Sequence, residues 1–346
     1  MGKLTPFFSL VHDFLVVYLP NEKKCSPNTI RSYRKALELL LDYVKEKQQV
    51  SLGKITLSMI DRSTISEFLD YLENDRQSSI STRNQRLYCI KAFYKYAANE
   101  DLTIIAHWED IQKVPAAYEP KKIVEHMSEN AIKAILSQPD TSTRKGLRDM
   151  FLMLFLYKTG ARVQEILDVQ LCDIQFGQHP RVVLHGKGSK IRSVPLRENV
   201  VEHLKHYIDT FHPFEGIHSK QYLFYIVRNN VKKRMTEQNV RYLVGKYGVM
   251  AKNECIEVPE NVHPHLFRHS CAMILYQNGV DLTLISQWLG HSSLETTLIY
   301  AHADTEIKRK AIESSIPIDS PLKEITDSKR YMVDDENLLK QLCGLK

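Results

Sequence analysis

No stretch of the 346-residue chain is apolar for long enough to span a membrane. The apolar run near the start, "FFSLVHDFLVVYLP", is interrupted by His12 and Asp13. It has no basic lead followed by a small-residue cleavage site, so it does not read as a secretory signal. The six cysteines, Cys25, Cys89, Cys172, Cys255, Cys271 and Cys343, make no CxxC pair. That excludes zinc knuckles and redox motifs of this type and suits a reducing, cytoplasmic setting. Internal repeats and low-complexity tracts are also missing. Charge is only mildly one-sided: the net value is +6 and the pI about 8.8. Such a balance permits a polyanionic partner and equally permits a soluble enzyme that happens to be basic. Hydrophobic residues at 43% and charged residues at 25% are ordinary for a globular protein, and the length suits two domains.

The first hundred residues read as a small helical bundle. An opening helix is expected over Pro6 to Tyr18. "CSPNTIRSYRKALELLLDYVKEK" has Ser26 as N-cap and Pro27 at the first helical position, with Ile30, Tyr33, Leu37, Leu40 and Val44 on one face. A short helix follows around "TISEFLDYLEND". In "SISTRNQRLYCIKAFYKYAANE", Leu87, Ile90, Tyr94 and Ala97 share a face. Two of these helices carry Arg31, Arg34 and Lys35, and Arg83, Arg86 and Lys91, with Asn84 among the latter. A solvated helix face is the bland explanation and phosphate or groove contact the functional one. The expected boundaries are a helical domain over 1–106, a linker over 107–126, a second domain over 127–316 and a tail over 317–346.

The second domain is expected to be mainly α with a small β-hairpin. Ser128 caps its first helix. "LRDMFLMLFLYKTG" is apolar almost all round and reads as a central buried helix broken by Gly160. "PRVVLHGKGSKIRSVPL" reads as two short strands about a glycine-containing turn. Helices then run through "RENVVEHLKHYIDTF", "TEQNVRYLVGKYGVMAKN" and "HPHLFRHSCAMILYQNG". "DLTLISQWLG" is a helix closed by Gly290.

Taken singly, the chemistry-bearing residues are weak signals. Arg162 in "TGARVQEI" has a structural explanation, a pair with Glu165 on the next turn. Together the set is informative. Two arginines, Arg162 and Arg268, can grip the oxygens of a phosphodiester in planar forks as charge develops. Lys187 can give a proton to a leaving oxygen, and His265 and His291 are histidines of the kind that accept one. The Tyr300 hydroxyl can attack phosphorus to form a covalent ester. No clustered carboxylate pair is available for Mg²⁺, so neither metal nor other cofactor is expected.

"TGARVQEI", "GKGSKIRSVPL", "HLFRHS" and "LGHSSLETTLIYAH" occur in an order and at separations that resemble the tyrosine recombinases, the phage-integrase type of site-specific recombinase. The resemblance covers roughly Thr159 to His302 specifically. The N-terminal bundle looks like the family's core-binding domain. The match implies catalytic roles for Arg162, Lys187, His265, Arg268 and His291, with Tyr300 as nucleophile and Glu165 as a supporting acid. Lys190, on the same hairpin, is the rival to Lys187. Lys190, Arg192 and the cations and Asn84 of the N-terminal helices become expected DNA contacts.

The implied reaction is cleavage through a 3′-phosphotyrosyl intermediate and strand exchange through a Holliday junction, without ATP or metal. The implied partners are double-stranded DNA with inverted-repeat core sites and further copies of the chain, as a synaptic tetramer. The expected setting is the cytoplasm, at the nucleoid. No additional arm-binding domain is evident ahead of the bundle, which resembles the two-domain Xer-like and transposon-borne members. The tail favours movement of a mobile element over chromosome-dimer resolution, and "DDENLLKQLCGL" is expected to dock on a neighbouring protomer.

Relaxation of supercoils by the same chemistry, as in type IB topoisomerases, is a competing reading. So is a zinc hydrolase using His263, His265 and His269, although Arg268 would place a fixed cation beside that metal. On the helix after His291, Leu294, Thr297, Leu298 and Ala301 are expected to form the packing stripe. Tyr300 would lie about 110° from its centre, at the margin of the core.

Overall fold

The computed structural model describes residues 5–120, 124–186, 190–216, 218–303 and 336–345. The chain divides into two compact units, Met1–Lys121 and Lys122–Lys346. No helix among the described residues is long and apolar enough to cross a membrane.

The first unit is a helical bundle of α1 (Pro6–His12), α2 (Pro27–Gln48), α3 (Arg62–Asn74), α4 (Ile80–Glu100) and α5 (Ile105–Gln112). Helix starts follow their caps: Ser26, Asp61 and Ser79 each accept from a backbone N–H three residues on. Leu37, Leu40 and Val44 of α2 meet Leu87, Ile90 and Tyr94 of α4 in one core, as the helical spacing requires.

The structure departs from expectation at both ends of this unit. The opening helix does not stop at Tyr18; a π-helical stretch, Asp13–Glu22, continues it past Pro20. Within it, Phe14 and Leu19 are buried. The expected linker begins too early. Residues 105–112 are helix α5, with Ile111 and Val114 buried in the first core and Trp108 packed against it.

The second unit is built around α7 (Arg144–Thr159), whose Phe151, Leu152, Met153 and Phe155 are enclosed. Around it lie α6 (Glu129–Leu136), α8 (Val163–Asp168), α9 (Glu198–Phe211), α10 (Glu237–Lys252), α11 (Pro264–Gln277), α12 (Leu282–Leu289) and α13 (Glu295–Ala303). A last described helix covers Glu336–Leu342, with Leu338 and Leu339 half exposed.

The hairpin expected around the glycine turn is present as β2 (Arg181–His185) and β3 (Ile191–Pro195). A short β1 (Ile174–Gln175) adds to it as an antiparallel third strand. A second hairpin, β4 (Tyr225–Arg228) and β5 (Val231–Arg234), lies between two of the expected helices, in a stretch to which no element was assigned. Its two-residue turn is Asn229–Asn230, both at positive φ (51° and 58°), the geometry asparagine tolerates in tight hairpins.

Candidate active site

Three helix ends meet in the second unit. Gly160 closes α7 in the left-handed conformation, Gly290 closes α12 likewise, and Arg162 stands as N-cap of α8. Between them Glu165 is almost fully enclosed, at 3% side-chain exposure. Its carboxylate accepts from the Arg162 backbone N–H (2.8 Å) and from Arg162 Nη1 (2.8 Å). It also accepts both terminal nitrogens of Arg192, at 2.9 and 2.8 Å. Burial alone would raise the Glu165 pKa. The Arg192 fork and the Arg162 N–H groups override it and hold the carboxyl at about 2.

The C-terminal carbonyls of α12 organise the arginines. Arg192 Nε donates to Trp288 O (2.8 Å), Arg268 Nη2 to Leu289 O (2.7 Å) and Arg162 Nη2 to Gly290 O (3.3 Å). Three consecutive carbonyls at a helix end thus receive three different guanidiniums. These carbonyls have no partner inside the helix and carry the negative end of its dipole. Arg268 Nη1 also donates to Gly160 O at 2.8 Å. Burial first, and then the charges of Arg162 and Arg192, lower the Arg268 pKa to about 10, so it remains cationic at neutral pH. Each of Arg162 and Arg268 keeps N–H groups that these bonds do not use, because a guanidinium carries five. Arg192 differs: at 12% exposure it gives one N–H from each nitrogen to the protein. It therefore sits inside the site's scaffold and not on an open face where DNA contact was expected.

His291 follows Gly290, and its Nδ1 meets Thr297 Oγ1 at 2.8 Å. Burial, then the charges of Arg268 and Arg162, lower its pKa to about 4. His265 is exposed on the first turn of α11; partial desolvation and neighbouring His263 and Arg268 lower its pKa. Lys187 lies outside the described residues. Lys190, just before β3, is exposed.

Tyr300 is not at the margin of the core. It is 1% exposed and packs with Ala272, Met273, Ile285 and Leu289. Among the described side chains of α13, Thr297 and Tyr300 are buried, while Leu298, and Leu294 just before the helix, are exposed at 39% and 42%. The expected stripe is therefore rotated, because α11 and α12 offer α13 a seat for an aromatic ring. The Tyr300 hydroxyl meets Nδ1 of His269 at 3.0 Å. Burial raises the phenol pKa to about 12 against the opposing charge of Arg268. His269 was singled out in the sequence only for zinc-like spacing. Its place directly after Arg268 on α11 was the signal for a site residue.

The expected DNA contacts of the first unit divide into two groups. Arg31, Arg34 and Lys35 are exposed, Lys35 beside Glu38. Asn84 instead is buried and pairs both ways with Ala117, at 2.8 and 2.9 Å. Lys91 donates to Gln112 O and Val114 O at 2.8 and 2.7 Å. Both bind the chain leaving α5. Arg83 and Arg86 are half buried; Arg83 lies beside Glu73 and Arg86 reaches Ser32 O.

Residues 125–306 match the Phage integrase family, and residues 13–101 match its N-terminal SAM-like domain. A protein of Sinorhizobium fredii named as an integrase/recombinase is 31% identical over 346 residues, 100% of both chains. Tyrosine recombinase XerD of Staphylococcus epidermidis is 32% identical over 302 residues, 85% of this chain and 94% of its own. Among solved structures, the Tn1549 transposon integrase in complex with transposon right end DNA matches with a TM-score of 0.66. It is 19% identical, over 87% of this chain and 98% of that one. The XerH recombinase in a post-cleavage complex on palindromic difH substrate matches at 0.65 and 21% identity, over 84% and 81%. At such identities the likeness is one of fold. With the family match spanning more than half of the chain, and a seated tyrosine beside paired arginines, the chain belongs to the phage integrase family of tyrosine recombinases, enzymes that cleave and rejoin DNA strands.

Proposed function

We propose that this protein recombines double-stranded DNA at specific sites, with Tyr300 as the nucleophile. The observation that carries this reading is the convergence of Arg162 and Arg268 on the end of α12, beside His291, with the Tyr300 phenol within the charge field of Arg268.

Arg162 and Arg268 have free N–H groups for the two non-bridging oxygens of a phosphodiester, where negative charge grows during attack. The Tyr300 Oη–P bond forms, and the bond from phosphorus to the 5′-oxygen breaks. This leaves a 3′-phosphotyrosyl ester and a 5′-hydroxyl. Lys187, between β2 and β3 in the sequence, supplies the proton to that leaving oxygen. A 5′-hydroxyl from the partner duplex reverses the step, so the ester conserves the bond energy and neither ATP nor metal takes part. Pairwise exchange through a Holliday junction needs four protomers on inverted-repeat core sites. The enclosed phenol means that the site must open as DNA enters. Movement of a mobile element is the favoured biological role, with dimer resolution by the same chemistry as the alternative.

The test is a suicide substrate that traps the covalent intermediate. Wild-type protein should accumulate a DNA–protein adduct in EDTA, and Tyr300→Phe should accumulate none. An adduct of equal yield from Tyr300→Phe would overturn the assignment.

A further inference from the structure

Attack by a phenol requires a place for its proton. Of the described histidines around the site, His291 has its Nδ1 on Thr297 Oγ1, and His265 is exposed on the first turn of α11. The ring whose nitrogen meets the Tyr300 hydroxyl, at 3.0 Å, is that of His269. The two rings are held side by side, with centroids 5.9 Å apart and a 58° tilt. We propose that His269 accepts the Tyr300 phenolic proton during strand cleavage and returns it during rejoining. The proposal rests on the reading of Tyr300 as nucleophile.

The placement follows from α11. Arg268 and His269 are consecutive on one rigid helix, and Arg268 is fixed at both terminal nitrogens by Gly160 O and Leu289 O. A phosphate gripped by Arg268 is therefore near His269. A Tyr300 oxygen that reaches that phosphorus stays within reach of the same ring.

In the chemical step the Tyr300 O–H bond breaks as the Oη–P bond forms, and the proton passes to Nδ1 of His269. The leaving 5′-oxygen takes its proton from a separate acid. On rejoining, the 5′-hydroxyl attacks phosphorus and gives its proton back to that acid's conjugate base, and the departing phenolate recovers its proton from the imidazolium. No further reactant is needed.

The electrostatics make the transfer conditional on DNA. Facing His269 are His263, His265 and Arg268 from α11 and its cap, His126 from the segment before α6, Tyr300 from α13, and His291 after α12. Burial, and then His265, Arg268, His263 and His126, lower the His269 pKa to about 4, while burial raises the phenol to about 12. Without DNA the ring is a neutral acceptor and the tyrosine keeps its proton. A bound phosphate offsets the arginine charge, which makes the ring more basic.

Single-turnover cleavage by the full chain tests this, using His269→Ala and His269→Asn with DNA affinity and thermal stability measured alongside. Two substrates are compared: the natural one, and one with a 5′-bridging sulfur, whose thiolate leaves without protonation. Loss of the base should slow both variants by roughly 100-fold on both substrates, with unchanged DNA affinity. The asparagine amide keeps a hydrogen-bonding partner but cannot take up a proton, so a folded but slow His269→Asn supports the proposal. Wild-type rates from His269→Asn would overturn it. A defect rescued by the sulfur substrate would also overturn it, by placing the ring on the leaving-group side. Neither result touches the nucleophile; only adduct formation by Tyr300→Phe does.

Discussion

Glu165 and Arg192 form a two-pronged ion pair, with both carboxylate oxygens bound at 2.9 and 2.8 Å. Arg162 shares the same carboxylate through a single side-chain N–H. The fork of Arg192 thus limits how many donors Arg162 gives to Glu165 and leaves the remainder for phosphate. Arg192→Met should destabilise the protein by roughly 3 kcal/mol, since it leaves an enclosed carboxylate one cation short. It should also slow cleavage, as Glu165 draws a second N–H from Arg162. Arg192→Lys should recover little of either, because an ammonium cannot present the planar fork. Urea unfolding and single-turnover cleavage check the two halves separately.

Gly290 adopts φ +65°, and a Cβ there would lie 3.0 Å from Cδ and Nη1 of Arg192. Gly290→Ala should therefore combine backbone strain of about 1–2 kcal/mol with displacement of the Arg192 fork. Gly279→Ala is the control: φ is +79° and the added carbon meets nothing within 4 Å. Both variants should melt earlier than wild type, but only Gly290→Ala should also lose cleavage rate at temperatures where both are folded.

The two site histidines at about 4, His269 and His291, should make stability depend on pH. In the unfolded chain they protonate near 6.5, while in the folded protein they resist protonation until about 4. Their contribution is therefore complete above pH 6.5 and is lost as pH falls from 6.5 to about 4. Glu165 adds a loss in the same direction only below its ordinary 4.5, continuing to about 2. Melting temperatures measured between pH 7 and pH 5 should fall, and a His269→Asn, His291→Asn double variant should show a shallower fall.

Salt dependence should separate the two kinds of polar residue in the first unit. Arg31→Ala and Arg34→Ala should weaken binding to any DNA sequence, each reducing the salt slope by about 1. Asn84→Ala should leave that slope unchanged. It removes both bonds to the half-buried main chain of Ala117, costing roughly 1 kcal/mol of stability. Titrations at several salt concentrations, paired with thermal melts, distinguish the cases.

Much of this architecture is written locally. Ser26–Pro27 starts α2, Gly160 and Gly290 stop α7 and α12, and Arg162 meets Glu165 one turn on. Such features depend on neighbours in sequence, so they can be read there. The β4–β5 hairpin had a local signal too, the Asn-Asn pair in "YIVRNNVKKR", which the surrounding helices obscured. The burial of Tyr300 had none. Helix α13 has nine residues with apolar side chains on several faces, so its rotation is decided by α11 and α12. Asn84 and Lys91 looked like surface readers because their partners are main-chain atoms 33 and 23 positions away. A carbonyl or amide carries no residue-type signature. His269 was visible as a residue, but only the fold turns its ring toward a phenol.

The three carbonyls that end α12 have a consequence for how this enzyme responds to mutagenesis. Trp288 O, Leu289 O and Gly290 O aim three arginines at once, yet none belongs to a side chain. An alanine scan would trim the Trp288 and Leu289 side chains and leave every one of these acceptors in place. Such a scan would score the helix end for packing alone and overlook the part that fixes the arginines. Replacing single amides by esters weakens the acceptor without altering shape, and it is the perturbation to which this part of the protein is sensitive.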